Sequence, residues 1–158
     1  MGKYRKQVWI NAPPEDVSAA IDTADTWRVI VPSMQDAEIT ETDEGGYRIG
    51  FVYKIAGIKS KRSIETAEAE LDTQRAFDLS GMITGTYTFD MTKQGTGTRV
   101  KFDTEYTFSN RVLDRLTRQF ANQYITRQFD SLLNNLKHYV EMEDADVEPE
   151  TIEGRERL

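Results

Sequence analysis

Between Asn110 and Met142 apolar side chains recur at steps of three and four residues with no Pro or Gly among them: Val112, Leu113, Leu116, Phe120, Tyr124, Ile125, Phe129, Leu132, Leu133, Leu136, Tyr139 and Val140. That spacing is the signature of an amphipathic helix. With Asn110 as its N-cap the run would reach about 50 Å at 1.5 Å per residue. A domain of this size is only roughly 30–40 Å across, so such a helix must bend or overhang. Nearly everything before it reads as strands. The constraint is therefore an α+β fold in which one long helix covers one face of an antiparallel sheet, with function expected between the two.

The strands are read from alternation. Tyr4, Lys6, Val8 and Ile10 share one face of a first strand, which the turn Asn11-Ala12-Pro13-Pro14 stops. Pro14 suits a first helical position, with Glu15 and Asp16 at the positive end of the dipole. Two short helices follow, one carrying Val17, Ala20, Ile21 and Ala24, the other over Thr26 to Val31 and ending before Pro32. From Ala37 to Phe108 the period is two. Tyr47, Ile49, Phe51, Tyr53 and Ile55 share a face; Ile58 to Leu71 and Arg75 to Leu79 make two more strands. Ile83 to Thr92 and Arg99 to Phe108 form a hairpin across Gln94-Gly95-Thr96-Gly97. Seven strands with short Gly-rich turns make a meander, each with one apolar face.

Composition narrows function by exclusion. The 158 residues are one domain's worth, long enough to bury a core without staples. With no Cys and a single His, a thiol nucleophile, a Cys-based zinc site and a two-His iron site are excluded, and no metal or cofactor is expected. Gly95-x-Gly97 is a hairpin turn rather than a phosphate loop, because no helix follows. No stretch approaches the apolar length of a membrane span, and no h-region follows the basic N-terminus, so a cytoplasmic protein is expected. The net charge of −7 is uneven: from Glu141 onward there are eight acids and two bases. Residues 1–142 are read as the domain and 143–158 as an acidic, disordered tail. The nearly neutral body has no basic stripe, so nucleic acid is not an expected partner.

The order of elements resembles the START/Bet v 1-like helix-grip superfamily, also called SRPBCC. The resemblance is carried by VWINAPPEDVSAAIDTADTW, a strand, a Pro-Pro/Glu step into a helix and then a Trp; by the strand start GTGTRVKF; and by the closing helix QFDSLLNNLKHYVE. It covers about residues 3–142 and is nearest in flavour to the polyketide cyclase/dehydrase group, which also takes in proteins like the G-type subunit of carbon monoxide dehydrogenase. The resemblance implies a strongly curved sheet gripping the C-terminal helix around a cavity for a small hydrophobic or amphipathic ligand such as a lipid, quinone or polyketide-like chain.

Inward aromatics are in excess for a plain core, and several are Tyr, whose hydroxyls need partners. The expected ligand lining is Phe51, Tyr53, Phe77, Tyr87, Tyr106, Phe120 and Tyr124, with Trp27, Val31 and Met34 near the mouth. Arg62 is in phase with Ile58 and Ile64 and would point inward, where it could hold a carboxylate, phosphate or enolate. A bulge, or pairing with Glu68 or Glu70, would turn it to solvent instead. Asp90, Asp103 and Glu105 alternate with apolar residues and so should face water, and His138 has no Ser or Cys set beside it; no catalytic residue is assigned. Arg111, Arg115 and Arg118 read as a solvated face or as a weak docking surface for a partner or membrane. Two rival functions remain beside ligand binding: a polyketide cyclase-like enzyme using the same pocket, and an assembly factor docking through that Arg face.

Overall fold

The computed structural model describes residues 2–32, 34–55 and 57–152, with side chains as far as Asp144. Its elements are β1 (Gly2–Ile10), α1 (Pro14–Asp22), α2 (Thr26–Ile30), β2 (Gln35–Glu41), β3 (Tyr47–Ile55), β4 (Ile58–Ala67), β5 (Gln74–Gly81), β6 (Ile83–Gln94), β7 (Gly97–Phe108), α3 (Asn110–Leu113) and α4 (Arg118–Ile152). The strands form one seven-stranded antiparallel sheet in the order β1-β7-β6-β5-β4-β3-β2. The meander simply runs from β2 to β7, and β1 closes it by pairing with β7 from Gly2 opposite Tyr106 to Ile10 opposite Thr98.

Two glycines hold backbone that other residues rarely adopt. Gly81 has φ +106°, and a Cβ there would stand 2.2 Å from the Lys61 carbonyl oxygen. Gly85 has φ +148°, and its Cβ would stand 1.9 Å from the carbonyl oxygen of Glu105. Only glycine permits both the dihedral and the approach of the neighbouring backbone.

The C-terminal run is not one helix. α3 ends at Leu113, and the chain turns before α4 begins at Arg118. Thr117 explains the restart: its hydroxyl accepts the backbone N–H of Phe120 at 3.3 Å, the side-chain capping of a new N-terminus. Ser109, rather than Asn110, precedes α3, and its side chain makes no cap. The new helix sets its own phase. Ala121, Ile125, Phe129, Leu132, Leu133, Leu136 and Val140 are buried, and Phe120, about 100° around the axis from Ala121, is 65% exposed. The acidic segment 143–158 is expected from sequence to be a disordered tail; α4 instead continues through it as far as Ile152, and residues 153–158 lie outside the described residues.

Hydrogen bonds staple α4 to the edge strand. The Tyr4 hydroxyl donates to the Asp130 carboxylate, and Lys6 reaches the same oxygen at 3.0 Å. Near the other end, Lys137 donates to the Trp9 carbonyl at 2.8 Å and Glu141 accepts the Asn11 N–H at 2.8 Å. On the far side α1 and α2 close the core: the Trp27 indole N–H donates to the Tyr47 hydroxyl, which in turn donates to the Ile21 carbonyl. Trp27 is therefore held in the core, 1% exposed and 5.1 Å from the ring of Phe77, rather than at a cavity mouth. No helix among the described residues is long and apolar enough to cross a membrane.

Candidate ligand site

The inner face of the sheet divides into an aromatic half and a polar half. In the aromatic half Phe129 of α4 meets Tyr4 at 5.1 Å, Tyr106 at 5.5 Å, Phe102 at 5.8 Å and Tyr87 at 5.9 Å between ring centroids. Phe77, Phe89 and Trp27 continue the cluster. The centre of the space expected to hold a ligand is thus occupied by the protein's own rings. The clefts of a few hundred Å³ that the surface presents open outward. The largest described, about 490 Å³, is lined by Glu38, Arg48, Gly50, Val52 and Lys61 and also reaches Phe51, Arg62 and Gly81.

The polar half is built around Arg62, which the register of β4 turns inward. Ile58 and Ile64, in phase with it, are buried, and Arg62 is itself only 4% exposed. Its partner across β5 is Gly81, which has no side chain to block it, so the guanidinium reaches past β5 and donates from Nη2 to the Tyr87 hydroxyl on β6 at 3.3 Å. The guanidinium carbon lies 4.8 Å from the Tyr53 ring centroid and 5.4 Å from that of Phe51, a cation–π arrangement with both. Among the described residues no carboxylate pairs with it. Glu68 and Glu70 follow the end of β4 at Ala67 and do not meet it.

This leaves a buried positive charge short of partners, a costly condition in a protein interior. Arg62 Nε has no protein partner, and the same is true of the buried Tyr53 hydroxyl, Thr104 Oγ1, Gln128 Oε1 and Thr26 Oγ1. Thr104 stands opposite Tyr87 in the β6–β7 register, and Gln128 lies one helical turn beyond Tyr124 on α4. Burial raises the Tyr53 phenol well above its ordinary range, although the Arg62 charge works against it. It is therefore a hydrogen-bond donor, not a base, at any ordinary pH. Burial also raises Tyr106, whose hydroxyl donates to Asn122 Oδ1 at 3.1 Å.

Of the residues expected to line a ligand space, Phe51, Tyr53, Arg62 and Tyr87 are brought together, while Phe77 and Tyr106 lie in the aromatic half. Tyr124 is half-buried, and its hydroxyl donates to the Lys54 carbonyl at 3.4 Å, closing the gap between α4 and the end of β3. Val31 is 8% exposed and Met34 packs against the core from its edge. Phe120 points away from the inner wall, because the Thr117 cap rotates the helix. Sequence reading missed Thr104 and Gln128. Thr104 alternates with Phe102 and Tyr106, so its inward phase was there to find; Gln128 was hidden within a polar stretch of the helix.

His138 is exposed on the outer face of α4, and Asp103 pairs with Arg5 at the surface. Among the described residues no cluster of His, Cys, Asp and Glu could hold a metal ion.

Known proteins share this fold. A protein of Thermus thermophilus superposes with a TM-score of 0.74 at 21% identity, over 88% of this chain and 97% of the other. A START superfamily protein from Mycobacterium smegmatis gives 0.72 at 14% identity, covering 89% and 97%. The Zhui aromatase/cyclase from Streptomyces sp. R1128 gives 0.70 at 14% identity, covering 89% and 93%. At these identities the likeness establishes the helix-grip fold. No curated protein matches the chain in sequence. The profile described as "Polyketide cyclase / dehydrase and lipid transport" matches residues 1–141, and the chain belongs to that family.

Proposed function

We propose that this protein binds a small amphipathic molecule between the sheet and α4, with an anionic or enolisable oxygen set against Arg62 and an apolar body against Phe51, Tyr53, Tyr87 and Tyr124. The observation that carries this reading is the buried guanidinium with no carboxylate. A ligand oxygen at Nε and Nη would supply the missing counter-charge and a charge-assisted hydrogen bond. The Tyr53 hydroxyl offers a second donor for the same group. The ligand reaches this end where the Tyr124–Lys54 contact parts, since that hydrogen bond joins α4 to the β3 terminus.

Cyclisation of a polyketide-like chain in the same pocket is the second reading, favoured by the Arg62–Tyr87 hydrogen bond: a cation and a phenol side by side can stabilise an enolate as it forms. Binding is preferred to catalysis because, among the described residues, no carboxylate or imidazole is buried to remove a proton from carbon, and burial holds the Tyr53 phenol protonated. Docking through Arg111, Arg115 and Arg118, which stand exposed around the start of α4, is a separate reading. Native mass spectrometry of freshly purified protein, followed by extraction and identification of what travels with it, tests the proposal. An acidic or enolic apolar molecule is expected. Turnover of a poly-β-ketone without retained ligand would transfer the case to the cyclase.

A further inference from the structure

The register gathers cations that look scattered in the sequence. Lys54 and Lys59 stand opposite each other at the β3–β4 turn, and Lys61 follows two residues on; all three are exposed. The Tyr124–Lys54 hydrogen bond ties that turn to the first turns of α4, and Arg111 on α3, Arg115 in the turn after it and Arg118 at the start of α4 are exposed as well. Asp114 is the one acid within segments 54–61 and 110–118.

Among the described residues none of these six cations enters an ion pair, whereas Arg5, Lys6, Arg28, Arg48, Arg75 and Lys137 each do. Two lysines directly opposite on paired strands repel each other, a cost that an external anion would relieve. Phe120 projects beside this group and is 65% exposed. At the other ends of the same strands the connections are acidic: Glu41, Asp43 and Glu44 between β2 and β3, and Glu68, Glu70 and Asp72 between β4 and β5. Asp36 and Glu38 at the start of β2 lie beside Lys61, so the surplus positive charge at this end is carried by Lys54, Lys59, Arg111, Arg115 and Arg118 and would favour a negative surface.

We propose that this end docks on an anionic lipid surface, with the cations on lipid phosphates and Phe120 in the headgroup layer. An exposed aromatic ring among cations is the combination that gives reversible attachment at such an interface. The cations are spread over two connections around a single projecting ring, which suits a uniformly charged plane. The surface surrounds the contact through which a ligand would reach Arg62; its purpose rests on the ligand-binding reading, but its geometry does not.

Sedimentation of the ligand-free protein with vesicles tests the docking directly. The protein should sediment with phosphatidylcholine vesicles containing phosphatidylglycerol, stay in solution with phosphatidylcholine alone, and be released by salt. R115A and R118A should each weaken attachment by about fivefold. In F120W the added indole should shift its emission to the blue on anionic vesicles only, measured as the difference from the parent. Thermal unfolding and ligand binding in solution should be unchanged in R115A and R118A, which separates failure of docking from failure of the pocket. Lack of sedimentation with anionic vesicles, sedimentation indifferent to R115A and R118A, or an F120W indole that stays in water would overturn the proposal.

Discussion

The guanidinium of Arg62 lies 4.8 Å from the ring centroid of Tyr53, while the hydroxyl of that same tyrosine is buried without a protein partner. The ring helps to stabilise the cation, and the hydroxyl remains open to a guest. A core optimised for stability alone would contain neither.

Replacing Arg62 by Met should therefore separate stability from binding. Met keeps the length and apolar bulk of the side chain and removes the uncompensated charge, so the change should be neutral or stabilising. Thermal unfolding of R62M should occur at or above the parent midpoint, while binding of an acidic ligand is lost. A marked loss of stability would show that the guanidinium serves the apo fold.

The attachment of α4 to β1 should weaken in acid. Burial pushes the Asp130 carboxyl up, but hydrogen bonds from Tyr4 and Lys6, with the Lys6 charge, outweigh it and hold the group below its usual range. Glu141 is likewise raised by burial and brought down further by Lys137 and the Asn11 N–H. A carboxylate depressed in the folded state contributes stability above its unfolded pKa and loses that contribution as pH falls through its folded pKa. Stability should decline with acidification below the ordinary carboxylate range, and D130N with E141Q should flatten that part of the profile in denaturant titrations at successive pH values.

Thr117→Ala should cost about 1 kcal/mol, the usual worth of a side-chain N-cap. Amide exchange would localise the effect to the first turn of α4, residues 118–121, with little change near Leu136. Uniform acceleration along the helix would mean that the α3–α4 break does not depend on the cap.

Gly85→Ala should be far more damaging than its size implies. The new Cβ would meet the Glu105 carbonyl oxygen at 1.9 Å in a backbone conformation that side chains rarely adopt, so a loss of at least about 2 kcal/mol is expected. Gly50→Ala, with open space around it, provides the control and should be nearly silent in the same unfolding assay.

The strands were legible because period-two alternation is a local property: Tyr47, Ile49, Phe51, Tyr53 and Ile55 announce their inward face, and the structure buries all five. The same alternation placed Arg62 inward, and Gly81 opposite it gives the guanidinium room to reach Tyr87. What failed was long-range or depended on helix phase. Thr117 sits within an unbroken apolar pattern, and nothing in that pattern says that its hydroxyl will take the Phe120 N–H and restart the helix. Once it does, Phe120 leaves the inner stripe. Trp27 could not be assigned a depth from its neighbours, because the rings that cover it, Phe77, Tyr87 and Phe89, and the Tyr47 hydroxyl that takes its N–H all come from distant strands. Charge was read as a total, and the nearly neutral sum concealed a group of cations that only the register brings together.

The most direct measurement is the affinity of the parent and of R62M for a matched pair of ligands, an aromatic carboxylic acid and its methyl ester, by titration calorimetry. A hydrogen bond to a charged partner is worth about 1.5–3 kcal/mol, so the parent should favour the acid by roughly 10- to 100-fold and R62M should show no preference. Equal binding of acid and ester by the parent, or a preference for the acid that survives in R62M, would contradict the assignment of Arg62 as the ligand's anion partner.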